Sequence, residues 1–116
     1  MTIKQGSIFI TPFPFAEMDS KKIRPALVVS STRFNVHSSD VWIVALTTQS
    51  KHQDGKIPLS EGDLDQGRLT KRSFIRFTAI TRIKGSLLLK KVAQLNTKKM
   101  TEVIQGIEKI LEPSDD

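Results

Sequence analysis

The sequence predicts a mainly β (α+β) protein: six or seven short strands, curled into a strongly bent sheet or partly closed barrel, followed by one amphipathic helix. Two observations lead to this prediction. Short runs of apolar and β-branched residues, separated by turn-forming residues, recur along the first 95 positions. The apolar spacing then changes from a period of two to the period of a helix. So many short strands in 116 residues suit a small curved sheet.

The predicted strands differ in how they should be buried. The run Val41–Leu46 is the most apolar, which is typical of a strand covered on both faces, so Trp42 is expected in the core. Polar or mixed segments between strands, such as Asn35–Asp40 and Glu61–Gly67, are expected to be turns and loops. The full set of predicted strands is Ser7–Thr11, Pro25–Ser31, Val41–Leu46, Lys56–Leu59, Ser73–Ile83 and Leu88–Leu95.

Strict alternation in Ser73–Ile83 predicts two faces. One face would carry Phe74, Arg76, Thr78, Ile80 and Arg82, and the core-facing side Ile75, Phe77, Ala79, Thr81 and Ile83. Arg76 and Arg82 should therefore share the more exposed face.

The C-terminal segment has the apolar stripe of an amphipathic helix, with Asn96 or Thr97 as the expected N-cap. Lys98 and Lys99 fall in its first turn, where the helix dipole disfavours cations, so they are either on a solvated face or part of a basic surface. The stripe consists of Met100, Val103, Ile104, Ile107, Ile110 and Leu111.

Composition excludes several classes of protein. There is no cysteine, which excludes disulfide scaffolds, thiolate zinc sites and thiol nucleophiles. No apolar run is long enough to span a bilayer, and the N-terminus lacks the pattern of a signal peptide, so a cytoplasmic location without a membrane partner is expected. We expect one domain over residues 1–112 and a frayed acidic tail over 113–116.

The distribution of charge favours an acidic partner. The net charge is +6, and residues 68–99 contain no acidic side chain. Ordinary surfaces intersperse both signs, so this segment predicts an electropositive surface for phosphates rather than a plain solvated face. Its ten basic residues are Arg68, Lys71, Arg72, Arg76, Arg82, Lys84, Lys90, Lys91, Lys98 and Lys99.

Common catalytic constellations are missing. There is no Gly-rich phosphate loop, no nucleophile elbow and no metal-ligand spacing, so no metal or other cofactor is expected. Glu61, Asp63 and Asp65 alternate but do not complete a calcium loop. His37 and His52 lie in predicted loops with no fixed relation to each other, and solvated surface positions are the better interpretation of both.

A local pattern is more specific. Residues 6–31, GSIFITPFPFAEMDSKKIRPALVVSS, contain an apolar strand, a Pro/Phe break, a polar loop and then Arg24-Pro25 opening a second apolar strand. Pro25 fixes its own φ and favours extended geometry at Arg24, so this arginine is held at the junction of loop and strand. Its planar, permanently charged group suits phosphate, although an ordinary surface arginine is the simpler alternative.

This segment resembles the N-terminal signature of the MazF/PemK toxin family. A second segment, Ala45–Lys51 (ALTTQSK), is similar to the family's next signature, a buried strand ending in T-[TA]-Q. The resemblance implies an SH3-like or CcdB-like barrel that forms homodimers, acts as a metal-independent, sequence-specific endoribonuclease on single-stranded RNA, and is blocked by an acidic antitoxin. By position, Arg24 and Thr47 match the family's catalytic arginine and threonine.

In that scheme the RNA 2′-OH attacks the adjacent phosphate. Arg24 stabilises the developing charge and donates a proton towards the leaving 5′-oxygen, while Thr47 bonds to the phosphate or orients the 2′-OH. A threonine at the end of a buried strand often only bonds to nearby backbone, which is the alternative for Thr47. Candidate RNA-binding residues are Phe13, Phe15, Lys22, Gln49, Lys51 and Arg76.

Phe13 and Phe15 are interpreted in two ways, as rings that stack on unpaired bases or as core residues at the rim of the barrel. Two other functions are also compatible with the sequence. One is a catalytically silent nucleic-acid-binding barrel that uses only the basic segment. The other is a gyrase-directed toxin on the same fold.

Overall fold

Alternating and β-branched segments form seven strands in the part of the chain that the structure, a computed structural model, describes: residues 2–13, 23–49 and 55–115. The strands are β1 (Ser7–Pro12), β2 (Ile23–Val28), β3 (Asp40–Thr47), β4 (Lys56–Leu59), β5 (Leu64–Gly67), β6 (Ser73–Lys84) and β7 (Lys90–Leu95). The α-helices are α1 (Thr32–Val36) and α2 (Thr97–Ile110), and single 3₁₀ turns cover Glu61–Asp63 and Gly85–Leu87. Among the helices so described, none is long and apolar enough to cross a membrane.

The strands form one antiparallel sheet in the order β4-β6-β3-β2-β1-β7-β5. The sheet curls into a half-barrel whose edges are the two four-residue strands β4 and β5. Short edge strands offer little unpaired backbone, and Pro58 removes one donor from β4. The predicted fold class, a mainly β bent sheet with a C-terminal helix, is confirmed.

Both faces of the sheet are apolar, because alternate residues of the central strands enter two separate cores. Ile8, Leu27 and Val44 belong to the first core, which α2 covers with Met100 and Val103. The second core consists of Phe9, Phe13, Ala26, Val28, Val41, Ile43, Ala45, Ala79 and Ile83. Complete burial of a side chain such as Ile8 or Leu27 stabilises the fold by about 1.5–3 kcal/mol.

An irregularity in β6 changes the predicted alternation. Val44 pairs with Ile80, but the next residue, Ala45, pairs with Arg76, so residues 77–79 have no partners on β3. Because these residues bulge, Ile80 packs against the first core with Ile75, whereas Ala79 enters the second core. The prediction of one continuous core-facing row from Ile75 to Ile83 is therefore wrong.

Three further expectations are corrected. Helix α1 begins at Thr32 and runs into the expected turn Asn35–Asp40, because the Ser31 hydroxyl accepts a hydrogen bond from the Phe34 amide at 3.1 Å and caps the helix. Strand β5 forms inside the expected loop Glu61–Gly67, since Leu64 pairs with Leu95 and packs on the first core. Trp42 is 39% exposed rather than buried, at the start of β3.

Helix α2 is attached to the sheet through its first turn. Asn96 is the N-cap and its Oδ1 accepts from the Lys99 amide at 2.8 Å, as one of the two predicted caps requires. The Lys99 ammonium is nearly buried, 3.6 Å from Asp63 and 3.2 Å from Glu102. These two carboxylates neutralise it, so Lys99 is not part of a basic surface.

Candidate active site

The start of β2 and the end of β3 bring Arg24 and Thr47 together. The two strands pair Val28 with Ile43 and Ala26 with Ala45, and the same register extended by two residues sets Arg24 opposite Thr47. Directly opposite residues in an antiparallel pair project from the same face. Both residues line one small pocket of about 70 Å³, whose other lining residues are Pro25, Leu46, Thr48 and Ser73.

Arg24 carries a donor that the fold leaves unused. Its backbone pairs with Thr11 on β1, and Pro25 follows it, so the position of the main chain is fixed. The Nε atom is buried and has no hydrogen-bond partner among the described residues. A buried donor without an acceptor costs about 1–3 kcal/mol. An oxyanion bound beside Arg24 would supply the missing acceptor.

The Thr47 hydroxyl has a defined orientation. Its oxygen accepts a hydrogen bond from the Gln49 amide at 3.2 Å, which is the local backbone bond expected of a threonine at a strand end. The Gln49 carbonyl in turn accepts from the Lys56 ammonium at 2.9 Å. Because the Thr47 oxygen is used as an acceptor, its own proton is directed away from Gln49 and remains available as a donor.

A larger pocket, of about 470 Å³, adjoins this pair. Arg24, Arg68 and Lys71 line it, and no carboxylate is among its described lining residues. Its apolar wall comes from Ile10, Ile23, Pro25, Leu69 and Val92, and its neutral polar groups from Thr48, Thr70 and Ser73. An anion with a flat or apolar portion suits such a surface.

A family model of the PemK-like, MazF-like toxin of type II toxin–antitoxin systems matches residues 4–111. The chain belongs to this toxin family. The family that the two N-terminal motifs indicated is thus confirmed. No curated protein sequence matches the chain significantly.

Solved structures of the MazF type share this fold at low sequence identity. An endoribonuclease in complex with its cognate antitoxin from a mycobacterial species is 16% identical, with a TM-score of 0.75 over 94% of each chain. MazF (Form-I) from Deinococcus radiodurans is 17% identical, with a TM-score of 0.74 over 96% of this chain and 97% of that one. At such identities the likeness shows the fold alone.

The other predicted site residues of this MazF-like chain lie in different places. Phe13 is 1% exposed and belongs to the second core, so its ring is packed rather than free to stack, the second of its two interpretations. Gln49 is exposed beside Thr47. Arg76 lies on β6, opposite Ala45 on one side and Lys56 on the other. Phe15, Lys22, Lys51 and His52 lie outside the described residues.

His37 follows α1 and precedes β3, so it lies near the opposite end of that strand from Thr47. A strand of eight residues spans roughly 25 Å. His37 is therefore remote from the pocket, in keeping with its interpretation as a surface residue. No group of three or more His, Asp or Glu side chains that could hold a metal ion occurs within the described ranges.

Sequence reasoning missed a further group around the site in this toxin-family fold. Phe74 lies directly opposite Thr47. The Lys56 ammonium lies 5.8 Å from the centroid of its ring, and the Arg72 guanidinium carbon 5.6 Å from it. Arg68 and Lys71 were recognised only as members of the acid-free segment. Register and loop closure bring these residues to the site, and neither can be read from a single sequence.

Electrostatics separate the site from the rest of the surface. Within the described residues, the carboxylates form ion pairs with Arg82 and Lys99 only. The cations that line the larger pocket therefore form no ion pair with a described carboxylate. Elsewhere, burial and the nearby Lys4 charge lower the pKa of Lys91 from its ordinary value. The Lys91 ammonium donates to Gln94 Oε1 at 2.8 Å.

Proposed function

We propose that this chain is the toxin component of a type II toxin–antitoxin system and a sequence-specific, metal-independent endoribonuclease that cleaves single-stranded RNA. The observation that carries the proposal is the buried Nε of Arg24, which has no partner among the described residues, in the pocket that Arg24 shares with Thr47. The family supports the toxin assignment, and the mycobacterial protein of the same fold, an endoribonuclease, supports the reaction class.

The substrate supplies the nucleophile. The 2′-oxygen attacks the adjacent phosphorus, forming the O2′–P bond while the P–O5′ bond breaks. The 2′-OH proton passes to solvent water, and the leaving 5′-oxygen takes up a proton from Arg24, which regains one from solvent. Arg24 stabilises the charge that builds on the equatorial oxygens and acts as the proton donor to the leaving group. The Thr47 hydroxyl donates to a phosphate oxygen and fixes its orientation. Positioning and electrostatic stabilisation are the main contributions of the protein.

The partners follow from the same assignment. An acidic antitoxin would neutralise the cations that line the larger pocket, Arg24, Arg68 and Lys71, and so exclude RNA from it. The mycobacterial endoribonuclease is bound to its cognate antitoxin, which supports this expectation. We also propose a homodimer and a cytoplasmic location, where the substrate RNA is found.

The decisive experiment is cleavage of a long, defined RNA in the presence of EDTA. Wild type, Arg24→Ala and Thr47→Val are compared, with Arg33→Ala on α1 as the matched control. Wild type and the control should make discrete cuts at a repeated short sequence, leaving a cyclic 2′,3′-phosphate and a 5′-hydroxyl. Arg24→Ala should lose about 10²–10³ in rate.

Replacement of the 2′-hydroxyl by hydrogen at the cut nucleotide should abolish cleavage at that position. Cutting of the deoxy-substituted site would contradict attack by the 2′-oxygen. Cutting that persists in Arg24→Ala would place the chemistry elsewhere. Salt-sensitive RNA binding without any cutting by wild type would favour the silent nucleic-acid-binding barrel instead.

A further inference from the structure

Phe74 is the residue that faces Thr47 across the sheet, on strand β6. The two residues are direct partners in the β3–β6 ladder, so their side chains leave the same face with Cβ atoms about 4.5–5.5 Å apart. Phe74 is only partly buried, in contrast to Phe13, whose exposure is 1%. Part of the Phe74 ring is therefore accessible beside the candidate catalytic threonine.

Cations surround this ring. The Lys56 ammonium and the Arg72 guanidinium lie within 6 Å of its centroid, the distance at which a cation is attracted to an aromatic face. Lys56 is held there by its hydrogen bond to the Gln49 carbonyl, and Arg76 is its direct neighbour on β6. These three cations and the Phe74 ring are called here the Phe74 cluster.

The cations of the Phe74 cluster have no ion-pair partner among the described residues. No carboxylate lies within ion-pair distance of Lys56, Arg72 or Arg76 in the parts of the chain that the structure describes. Lys56 and Arg76 are direct partners on the adjacent strands β4 and β6. Like charges directly opposite each other destabilise a sheet. An anionic ligand would remove this repulsion, so the cluster is suited to bind one.

We propose that Phe74 is the stacking platform for an unpaired base next to the scissile phosphate, and that Lys56 and Arg72 bind the phosphates on either side of that base. The inference rests on the proposed function and adds a positioning residue to it. A partly exposed flat ring with two cations within 6 Å of its centroid matches the alternation of base and phosphate along a single strand. An acidic peptide would satisfy the cations but would leave the ring without a role.

The test measures affinity separately from cleavage. A short RNA that carries the mapped cut sequence, with 2′-deoxy at the cut nucleotide, is titrated by fluorescence anisotropy; if wild type does not cut, oligouridylate replaces it. Phe74→Leu should weaken binding about tenfold or more, whereas Phe74→Tyr, which keeps the ring, should stay within about twofold. Phe34→Leu is the matched control, since Phe34 is an exposed ring on α1.

Abasic nucleotides distinguish stacking from a merely structural effect. At one position near the cut site, removal of the base should weaken binding to wild type but not to Phe74→Leu. In a Trp42→Phe background, Phe74→Trp should show fluorescence quenching when RNA binds. Equal affinities of wild type and Phe74→Leu, or an abasic penalty that persists in Phe74→Leu at every position, would overturn the proposal. If wild type does not cleave RNA but its abasic penalty still disappears in Phe74→Leu, only the proposed reaction would be overturned.

Discussion

Arg24 shows how a single residue can be poor for stability and suited to function. Its buried Nε lacks an acceptor among the described residues, which is costly for a folded chain and useful for a site that receives phosphate. Sequence reasoning identified Arg24 and Thr47 because both stand in short motifs with fixed spacing. It did not place Arg68, Lys71 or Phe74 beside them, because their proximity depends on strand register and on the closure of a loop.

Removal of the Arg24 side-chain charge should separate stability from activity. We expect Arg24→Met to leave the melting temperature unchanged or to raise it by a few degrees, because the unsatisfied donor disappears. RNA cleavage should fall by about 10²–10³ in the same variant. Circular dichroism melting and the cleavage assay measure the two effects, with Arg33→Met on α1 as the control. A large drop in melting temperature would show that Arg24 has partners essential for the fold.

Lys91 offers a prediction about pH. Burial and the Lys4 charge lower its pKa, so the folded chain binds this proton less tightly than the unfolded chain does. Between the lowered pKa and the ordinary value of 10.5, the unfolded state therefore binds more protons, and this group's contribution to stability rises with pH. The Lys4→Gln substitution should move the pKa of Lys91 upwards in a side-chain NMR titration. Lys109→Gln, on α2, should leave it unchanged.

At the scale of elements, the sequence predicted the positions of strands and helices well where nearby residues alone define them. The helix α2 and strand β4 agree closely with their predicted positions, since period and flanking residues define them. Strand β5 was missed because Leu64–Gly67 is polar and depends on pairing with β7. The bulge at residues 77–79 was missed because alternation in the sequence continues through it. Only the shift in register against β3 shows that β6 contributes side chains to both cores.

Substitution of Gly67 tests how β5 is held against β7. The φ of Gly67 is +82°, a left-handed conformation that glycine adopts without strain. A Cβ there would overlap the Val92 carbonyl oxygen and come within 2.7 Å of the Ala93 Cα. Gly67→Ala should lower the free energy of unfolding by about 1–3 kcal/mol and weaken RNA binding, because loop 68–72 follows directly. Gly62→Ala is the control, since nothing lies within 4 Å of its Cβ position.

Asp63 joins the 3₁₀ turn before β5 to the first turn of α2. Its Oδ2 accepts from the Ser60 amide at 2.8 Å and lies 3.6 Å from the Lys99 ammonium. Asp63→Ala would leave both groups with fewer partners, so chemical denaturation should show a loss of about 1–3 kcal/mol. Asp65→Ala, an exposed acid on β5, should change stability by no more than about 0.5 kcal/mol. Similar losses in both variants would contradict a specific role for Asp63.

At the scale of the whole molecule, the uncompensated cations predict a strong dependence of RNA binding on salt. For a single strand, the slope of log affinity against log salt concentration becomes more negative by about 0.7 for each phosphate contacted. Four contacts would therefore reduce affinity on the order of fifty-fold between 50 and 200 mM salt. Loss of two contacts in a double Arg68→Gln, Lys71→Gln variant should lower the slope by about 1.4. A slope equal to that of wild type would remove these two residues from the RNA-binding surface.

The sheet order has a consequence for synthesis of the protein. Strand β1 lies between β2 and β7, and the Ser7 hydroxyl donates to Gln94, 87 residues further along the chain. The first strand therefore completes its pairing only when the last strand, β7, is available, and a sheet that depends on such distant pairings closes slowly. Val92, which lines the larger pocket, belongs to the same late strand. The pocket proposed to bind RNA therefore cannot close on a nascent chain until strand β7 has left the ribosome.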